Sequence, residues 1–315
     1  MPLTGIRPAF FGAVGLYLST ASQRNWTMTA DEALGYVEAI GQHSDAHRGS
    51  VDAGLPTPPG LYVAGAEPMA QLPDLERILD CAKLHRMPVE LVTSAYWVDS
   101  LEIAEAVLDR LRTRVHLLTI TTRRSDVDSY GLAAIDLLLQ AIRRFDISIQ
   151  ILVTVGPEEP FPKELLALEV VNSDSTVIRI EPMYPNDRSQ LSPQSGAWPE
   201  GFLMESPPRH ARCAELLGFV ITPGGDVYPC SNGIGFPELL LGNMTTHTIV
   251  EMLDKALAGP QLNKLREEGP YFLFDDFRRS LPLEVLPAGY VSSCDFHRQV
   301  MARNQQSASR VDSTA

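Results

Sequence analysis

Residues 147–155 read ISIQILVTV, and this stretch decides the fold class. Six of its nine residues are Ile, Leu or Val, and neither Gly nor Pro interrupts the run. A run of this length and composition is typical of a strand in a parallel sheet that is covered on both faces. The stretch therefore predicts a buried strand, and helices on either side of it would make the protein α/β.

Strand and helix patterns alternate on both sides of this stretch. Strands are predicted at 10–20, 61–65, 89–95, 115–121, 147–155 and 176–182, and helices at 29–42, 73–86, 99–112, near 129–145 and around 162–170. Thr29, with Glu32 three residues later, has the signature of a capping box at the start of the first helix. Six β–α alternations imply a parallel sheet with right-handed crossovers. They are too few for an eight-stranded barrel and fit an open sheet or a partial (β/α)6 TIM-like barrel, with the site at the carboxyl ends of the strands.

The alternation ends after residue 185. A Pro- and Ser-rich linker is predicted at 186–211, a small domain at 212–300 and a disordered polar tail at 301–315. Within the small domain, ITPGGDVYPCSN (221–232) predicts a hairpin, because glycines supply the positive φ that a tight turn demands. Cys230 would then lie at the end of this hairpin.

Composition excludes several classes of partner. The net charge is −13, which argues against nucleic acid or an anionic membrane as the main partner. No segment has the ~20 unbroken apolar residues of a membrane span, and the N-terminal stretch lacks a signal-peptide cleavage pattern. Four cysteines are too few for a secreted disulfide scaffold. We therefore expect a cytoplasmic protein, and we expect Cys81 to be a core residue on the helix at 73–86.

Several short stretches, in this order, resemble the radical S-adenosylmethionine (radical SAM) family with a shortened SPASM-type C-terminal domain of the twitch kind. VAGAEP (63–68) matches the Gly-Gly-Glu-Pro turn that binds the amino group of the methionine moiety in that family. Gly65, Glu67 and Pro68 fit this turn, and Ala66 replaces a glycine. DISIQILVTV (146–155) and LLLGNMTTHTIVEML (239–253) match later segments. The resemblance implies an S-adenosylmethionine site at residues 65–68, while the residues alone fit a simple strand-to-helix turn equally.

The chain departs from this family where the family generates its radical. Three cysteines, Cys-x3-Cys-x2-Cys, follow the first strand in the family and hold a 4Fe-4S cluster. The corresponding loop here, STASQRNWTM (19–28), contains no cysteine. Ser, Asn and Gln cannot replace three thiolate ligands, so reductive cleavage of S-adenosylmethionine is expected to be impossible. The sequence nominates no catalytic acid–base pair.

A second metal site is implied near the hairpin. In twitch domains, two cysteines beside the hairpin combine with a later Cys-x2-Cys pair to hold an auxiliary cluster. The corresponding residues here are Cys213, Cys230, Cys294 and His297. The resemblance favours an auxiliary 4Fe-4S cluster, whereas the histidine and the loss of radical chemistry favour zinc, which binds three cysteines and one histidine in structural sites. The alternative is a set of small buried cysteines and a solvated histidine.

Two hypotheses about function follow. In the first, the protein is a non-catalytic relative whose barrel binds a peptide or small molecule, or that serves as the partner of an active enzyme in peptide or natural-product maturation. In the second, it is an enzyme that uses the cleft or the auxiliary metal for different chemistry. An acid, a base or an open metal position at the mouth of the barrel would distinguish the second from the first.

Overall fold

The computed structural model of the chain describes residues 14–17, 28–47, 59–65, 67–156, 160–168, 176–182 and 219–274, together with 279, 294 and 296–301. Ala66, Cys213, the predicted linker at 186–211 and most of the loop at 19–28 therefore lie outside the described residues. The same is true of nearly all of the predicted tail.

The described strands form one sheet. Their bounds are β1 Val14–Tyr17, β2 Leu61–Ala64, β3 Val89–Thr93, β4 Leu117–Thr122, β5 Ser148–Val155, β6 Thr176–Pro182, β7 Phe219–Ile221, β8 Asp226–Tyr228 and β9 Gly242–Asn243. The order across the sheet is β6-β5-β4-β3-β2-β1-β7-β8-β9. All pairs from β6 to β7 are parallel, and β8 and β9 are antiparallel additions. The predicted α/β class with a parallel sheet is confirmed.

Helices occupy the connections between the strands. Their bounds are α1 Ala30–Ala46, α2 Leu72–Leu84, α3 Leu101–Leu111, α4 Arg124–Tyr130, α5 Ala133–Ile142, α6 Ile249–Ala258 and α7 Pro260–Glu267. The predicted capping box is present at the start of α1. The backbone N–H of Glu32 donates to Thr29 Oγ1 at 3.2 Å, and the backbone N–H of Thr29 donates to Glu32 Oε2 at 2.8 Å. None of the described helices has the length and apolar character needed to cross a membrane.

Two helix predictions were wrong in detail. The single helix expected near 129–145 is two helices, because Gly131 ends α4 with a φ of +73°, a left-handed conformation that glycine adopts readily. The helix expected around 162–170 is a 3-10 turn at Lys163–Ala167. Its single turn buries Leu165, so one apolar contact is enough to hold it.

One face of the sheet carries the apolar core. Residues that alternate along β2 to β5 are almost fully buried and pack with helical side chains in one cluster. From the strands this cluster takes Leu61, Val63, Val89, Leu91, Leu118, Ile120, Ile149, Ile151 and Val153. Parallel sheets place successive side chains on opposite faces, so the helices cover the face that these residues share.

The two faces of β5 are covered to different extents. Ile149, Ile151 and Val153 are buried, but the residues between them, Gln150 and Leu152, are half-buried. Three residues of the opening stretch, Ser148, Gln150 and Thr154, are polar and lie on this second face, which follows from the period of two. The second face is therefore chemically distinct from the core.

The hairpin predicted at 221–232 is formed by β7 and β8. Gly225 turns the chain with a φ of +80°, and its N–H donates to the carbonyl of Thr222 at 2.8 Å. Asn243 of β9 closes the turn by donating from Nδ2 to the carbonyl of Gly224 at 2.8 Å. Because β7 pairs with β1, the hairpin continues the main sheet. The division of the chain into separate domains stays a prediction.

Candidate functional site

The second face of the sheet carries a group of polar side chains beside apolar ones such as Val92, Leu117, Leu152 and Val177. Cα partners in the parallel pairs share a face, so the register places one set of side chains together. This set, the polar face, is Glu90, Thr119, Thr121, Gln150, Thr154, Arg179 and Glu181. Its members lie on β3, β4, β5 and β6, and those on β5 and β6 are partly exposed to solvent. Donors and acceptors fixed on strands in this way can bind a polar ligand.

Glu90 is the buried acid of the polar face. Its Oε1 accepts hydrogen bonds from the hydroxyl of Thr119 at 2.7 Å and from Nε2 of Gln150 at 3.0 Å. Gln150 also donates to Thr119 Oγ1 at 2.7 Å. Burial raises the pKa of Glu90 above its usual value, although Thr119, Arg179 and Gln150 act in the opposite direction. A carboxyl group with a raised pKa keeps its proton up to a higher pH than an ordinary glutamate does.

Arg179 and Glu181 form an ion pair on β6. Their side chains are 32% and 35% exposed, so both also face solvent. The register sets Arg179 opposite Leu152 and Glu181 opposite Thr154, towards the carboxyl ends of β5 and β6. Ligands of open α/β sheets bind at these ends of the strands. The pair therefore offers a cation and an anion where a ligand is expected.

Glu67 links the carboxyl ends of β2 and β3. Its Oε2 accepts from the backbone N–H and the hydroxyl of Ser94 at 2.8 and 2.6 Å, and its Oε1 accepts from the N–H of Met69 at 3.1 Å. The hydroxyl of Thr93 lies 2.9 Å from both carboxylate oxygens. A carboxylate has about four lone-pair sites, and these donors use all of them.

The residues after β3 are held in an uncommon conformation. Ala95 has a φ of +67°, in the left-handed region that favours glycine. Its N–H and the indole N–H of Trp97 both donate to the hydroxyl of Thr93, at 3.1 and 2.8 Å. The same hydroxyl donates to Glu67, so one threonine fixes the loop to the neighbouring strand end. Backbone strain of this kind collects at ligand-binding edges.

Of the residues predicted to bind S-adenosylmethionine, the structure describes three. Gly65 has a φ of +94°, and Glu67 and Pro68 begin a 3-10 helix that spans Pro68–Gln71. The Glu67 carboxylate accepts hydrogen bonds from Met69, Thr93 and Ser94. The predicted S-adenosylmethionine site at residues 65–68 stays a prediction.

The structure describes three of the four predicted metal ligands near the hairpin. Cys230 and Cys294 are half-buried, and His297 is buried in the helical segment 296–301. Burial lowers the pKa of His297 to about 4, which keeps its imidazole neutral. Its Nε2 has no hydrogen-bond partner among the described residues. A neutral, unpartnered imidazole fits a metal ligand, and the set with Cys213 stays a prediction.

Within the described part of the chain, one group of three metal-ligating side chains has all its ligand atoms within 4.8 Å of one another. This group is Glu38, Cys81 and His85, on α1 and α2. Cys81 packs against the edge of the core but is half-buried, and its thiol donates to Glu38 Oε2 at 3.4 Å. Burial, together with Glu38, raises the pKa of the thiol to about 11. The prediction that Cys81 is simply a core residue therefore missed its polar contact.

Sequence reasoning also missed Glu90. The signal was present, because Glu90 is the single charged residue in the strand-like run VELVTSA (89–95). A charge is rarely buried without partners, so its position inside a buried strand indicates a polar network. The partners, Thr119 and Gln150, could not be assigned without the register of β4 and β5.

Comparison with known proteins finds structures of similar fold but does not assign the chain to a family. No protein-family model matches the chain, and no curated protein matches it by sequence. The solved structure of native anSMEcpe with bound AdoMet is similar, with a TM-score of 0.51 and 12% identity over 96% of this chain and 100% of that chain. BtrN in complex with AdoMet and 2-DOIA has a TM-score of 0.45 and 13% identity over 82% and 89% of the two chains. At such identities the likeness concerns the fold alone, and the match to anSMEcpe agrees with the predicted radical SAM-like fold.

Proposed function

We propose that this chain is a radical-SAM-like protein that lacks the radical-generating 4Fe-4S site and acts as a binding or accessory protein in the maturation of a peptide or another natural product. The observation that carries the proposal is a fold similar to that of anSMEcpe in a chain whose loop at 19–28 has no cysteine. Without those thiolates the chain has no ligands for the cluster that starts radical chemistry.

The turn after β2 supports the same conclusion. Glu67 in this protein serves as an internal cross-link between two strand ends, with its oxygens used by Met69, Thr93 and Ser94. A carboxylate used in this way stabilises the edge of the sheet and leaves no acceptor for a ligand amine. In this proposal the hydrogen bonds of Glu67 hold the two strand ends in place, and a binding protein requires a sheet edge that is fixed in this way.

The polar face supplies the binding surface. Arg179 can pair with a carboxylate, Glu181 can accept from an amine, and the hydroxyls of Thr121 and Thr154 can both donate and accept. A peptide presents these same groups along its backbone and at its termini. We therefore infer that the ligand is a peptide or a small polar molecule, bound near the carboxyl ends of β4 to β6.

The proposal includes the domain organisation of the chain and a metal site in its C-terminal region. We propose that residues 1–185 form a partial (β/α)6 TIM-like barrel whose inner surface is the polar face. Residues 212–300 would form the twitch-like domain, with Cys213, Cys230, Cys294 and His297 as ligands to zinc or an auxiliary cluster. Bound metal would contribute folding energy to this region, because an unfolded chain rarely holds such a site. The proposed protein is cytoplasmic and works beside a partner enzyme.

A second candidate function is supported by Glu90. This carboxyl group is buried, its pKa is raised, and it lies on the polar face with Thr119 and Gln150. A positioned acid with these properties is suited to general acid–base chemistry. In this alternative the protein is an enzyme that uses its cleft for non-radical proton transfer on the same ligand.

The first experiment tests the loss of radical chemistry. The protein is purified anaerobically, reconstituted with iron and sulfide, and given S-adenosylmethionine and a strong reductant, and 5′-deoxyadenosine is measured. We expect no more product than in a protein-free control. Turnover above that background would refute the proposal that the chain has lost radical initiation.

The second experiment tests the binding surface. A peptide array is probed with wild-type protein and with Arg179→Met, and bound protein is quantified. Peptides that contain a carboxylate should lose at least tenfold in signal with the variant. Arg144→Met is the matched control, because Arg144 also pairs with a carboxylate, that of Glu105, but on the helical side of the sheet. Equal loss with both variants, or no captured peptide at all, would argue against a peptide-binding polar face.

A further inference from the structure

The pair of helices α1 and α2 carries a cluster of side chains that the polar face does not use. Glu38 lies on α1, and Cys81 and His85 lie one turn apart near the end of α2. Residues four apart share a helix face, so Cys81 and His85 both point at the neighbouring helix. The carboxylate of Glu38 lies 3.4 Å from Cys81 Sγ and 3.2 Å from His85 Nε2.

These separations match those around a tetrahedral ion. With bonds of about 2.3 Å to sulfur and about 2.0–2.1 Å to nitrogen and oxygen, zinc holds neighbouring ligand atoms about 3.3–3.6 Å apart. The two separations from the Glu38 oxygen are therefore close to those around zinc, and all three ligand atoms lie within 4.8 Å of one another. Small rotations of exposed side chains would complete the geometry, since the Glu38 side chain is 44% exposed.

His85 is oriented for such a role. Its Nδ1 lies 2.8 Å from Oδ2 of Asp45, and its Nε2 faces Glu38. Histidines that bind zinc commonly donate the other ring N–H to a carboxylate, which fixes the tautomer and the direction of the ring. The side chain is 7% exposed, so its position is set by packing as well.

Gly41 makes room for the ring. A Cβ atom at this position would lie 2.2 Å from Cγ of His85, closer than any real contact. The imidazole therefore rests directly on the backbone of α1. A side chain at residue 41 would displace the ring from Glu38 and Cys81.

The charges of the cluster also favour a divalent cation. Zinc binding would displace the proton of the Cys81 thiol, and the resulting thiolate and the carboxylate would bring two negative charges, whereas a neutral imidazole would bring none. A divalent ion would neutralise this set, with Asp45 hydrogen-bonded behind the histidine. A ligand set that combines sulfur, nitrogen and oxygen suits zinc, whereas calcium and magnesium prefer oxygen alone.

We propose that Glu38, Cys81 and His85 form a zinc site, with Asp45 as a positioning residue and a water as the fourth ligand. The site joins α1 to α2 on the outside of the sheet. It is independent of the proposed function and of the ligands predicted near the hairpin. Zinc bound there would stabilise the native state, because the unfolded chain does not bring the two helices together.

The test uses cobalt as a spectroscopic probe for zinc. Metal-free protein is titrated with Co²⁺, and the thiolate-to-cobalt charge-transfer band and the bound equivalents are measured. Cys81→Ser should bind one equivalent fewer than wild type and lose the corresponding part of the band. Asp109→Asn, which changes an exposed carboxylate on α3, is the control and should keep both the equivalent and the band. Equal uptake and equal band intensity in wild type and Cys81→Ser would overturn the proposal.

Two further variants test the zinc site in case Cys81→Ser does not fold. Glu38→Gln changes a partly exposed residue and should weaken zinc binding at least tenfold in competition with a chromophoric chelator. Asp45→Asn should weaken it about 10- to 100-fold while keeping the charge-transfer band, as a positioning residue would. Zinc should also raise the melting temperature of wild-type protein by more than it raises that of Cys81→Ser. A folded Glu38→Gln protein that binds zinc as tightly as wild type would overturn the proposal independently.

Discussion

The carboxylate of Glu67, beyond the end of β2, accepts hydrogen bonds from both the backbone N–H and the hydroxyl of Ser94, beyond the end of β3, at 2.8 and 2.6 Å. Together with Thr93, this contact joins two strand ends at the edge where a ligand of a parallel sheet is expected. The geometry gives this turn a structural role, because it holds the sheet edge.

Glu67→Gln is expected to destabilise the protein. A glutamine keeps one acceptor oxygen and places an NH2 group beside donors, so at least one buried donor loses its partner. The loss should lower the free energy of unfolding by about 1–3 kcal/mol, measured by urea denaturation. Glu267→Gln, which changes an exposed carboxylate on α7, is the control and should have no such effect. If both variants have the same urea midpoint as wild type, the hydrogen bonds of Glu67 do not contribute to the stability of the protein.

The pH dependence of stability should show the burial of Glu90. Its pKa is raised above the usual value for a glutamate, so the folded state holds the proton more tightly than the unfolded state. This contribution is fully present below pH 4.5 and is lost as the pH rises through the pKa of the folded state. The charged groups that act on Glu90 are Arg179 and Glu181, both on β6.

Glu90→Gln tests this directly. The amide keeps the acceptor for Thr119 and Gln150 but cannot ionise, so the variant should gain stability relative to wild type as the pH rises from about 4 to about 8. Urea denaturation at several pH values gives the difference. A difference that stays constant over this range, or that shrinks with rising pH, would contradict the burial of an ionisable Glu90.

Two glycines of α1 should respond oppositely to alanine. Gly35 has open space where a Cβ would lie, so Gly35→Ala should stabilise the helix by roughly 0.5–1 kcal/mol. Gly41→Ala should destabilise the protein, because the new methyl group meets the imidazole of His85. Thermal denaturation of both variants gives the comparison. A Gly41→Ala protein as stable as Gly35→Ala would show that His85 is not seated on α1.

Cys230→Ser tests the metal site proposed near the hairpin. If Cys230 is a ligand together with Cys213, Cys294 and His297, the variant should contain less iron or zinc after anaerobic purification. Hydrogen exchange should become faster in residues 219–274 and remain unchanged in β2 to β5. Unchanged metal content and unchanged exchange would assign Cys230 to packing alone.

Most of the architecture could be predicted from apolar runs. The strand predicted at 176–182 has those bounds in the structure, and the capping signature of Thr29 and Glu32 marked the start of α1. The break at Gly131 was missed because a glycine inside an apolar helical pattern can either be tolerated or end the helix. Propensity alone does not decide between the two.

The candidate sites were harder to predict because they depend on pairing across the chain. Glu90 and Gln150 are 60 residues apart, and only the register of β3, β4 and β5 brings them to one face. Glu38 and His85 are 47 residues apart and meet because α1 packs on α2. A one-residue slip in the strands would move every such contact to the other face.

The pairing of β7 with β1 has a consequence for biosynthesis. Val14 of β1 pairs with Phe219 of β7. One edge of β1 therefore lacks its native partner strand until the ribosome has added some 200 further residues. At about 5–20 residues per second, the nascent chain carries that edge without its native partner for on the order of 10–40 seconds. An unpaired strand edge is a template for association with other chains. Association of nascent chains through this edge is therefore a hazard during translation, before β7 is made.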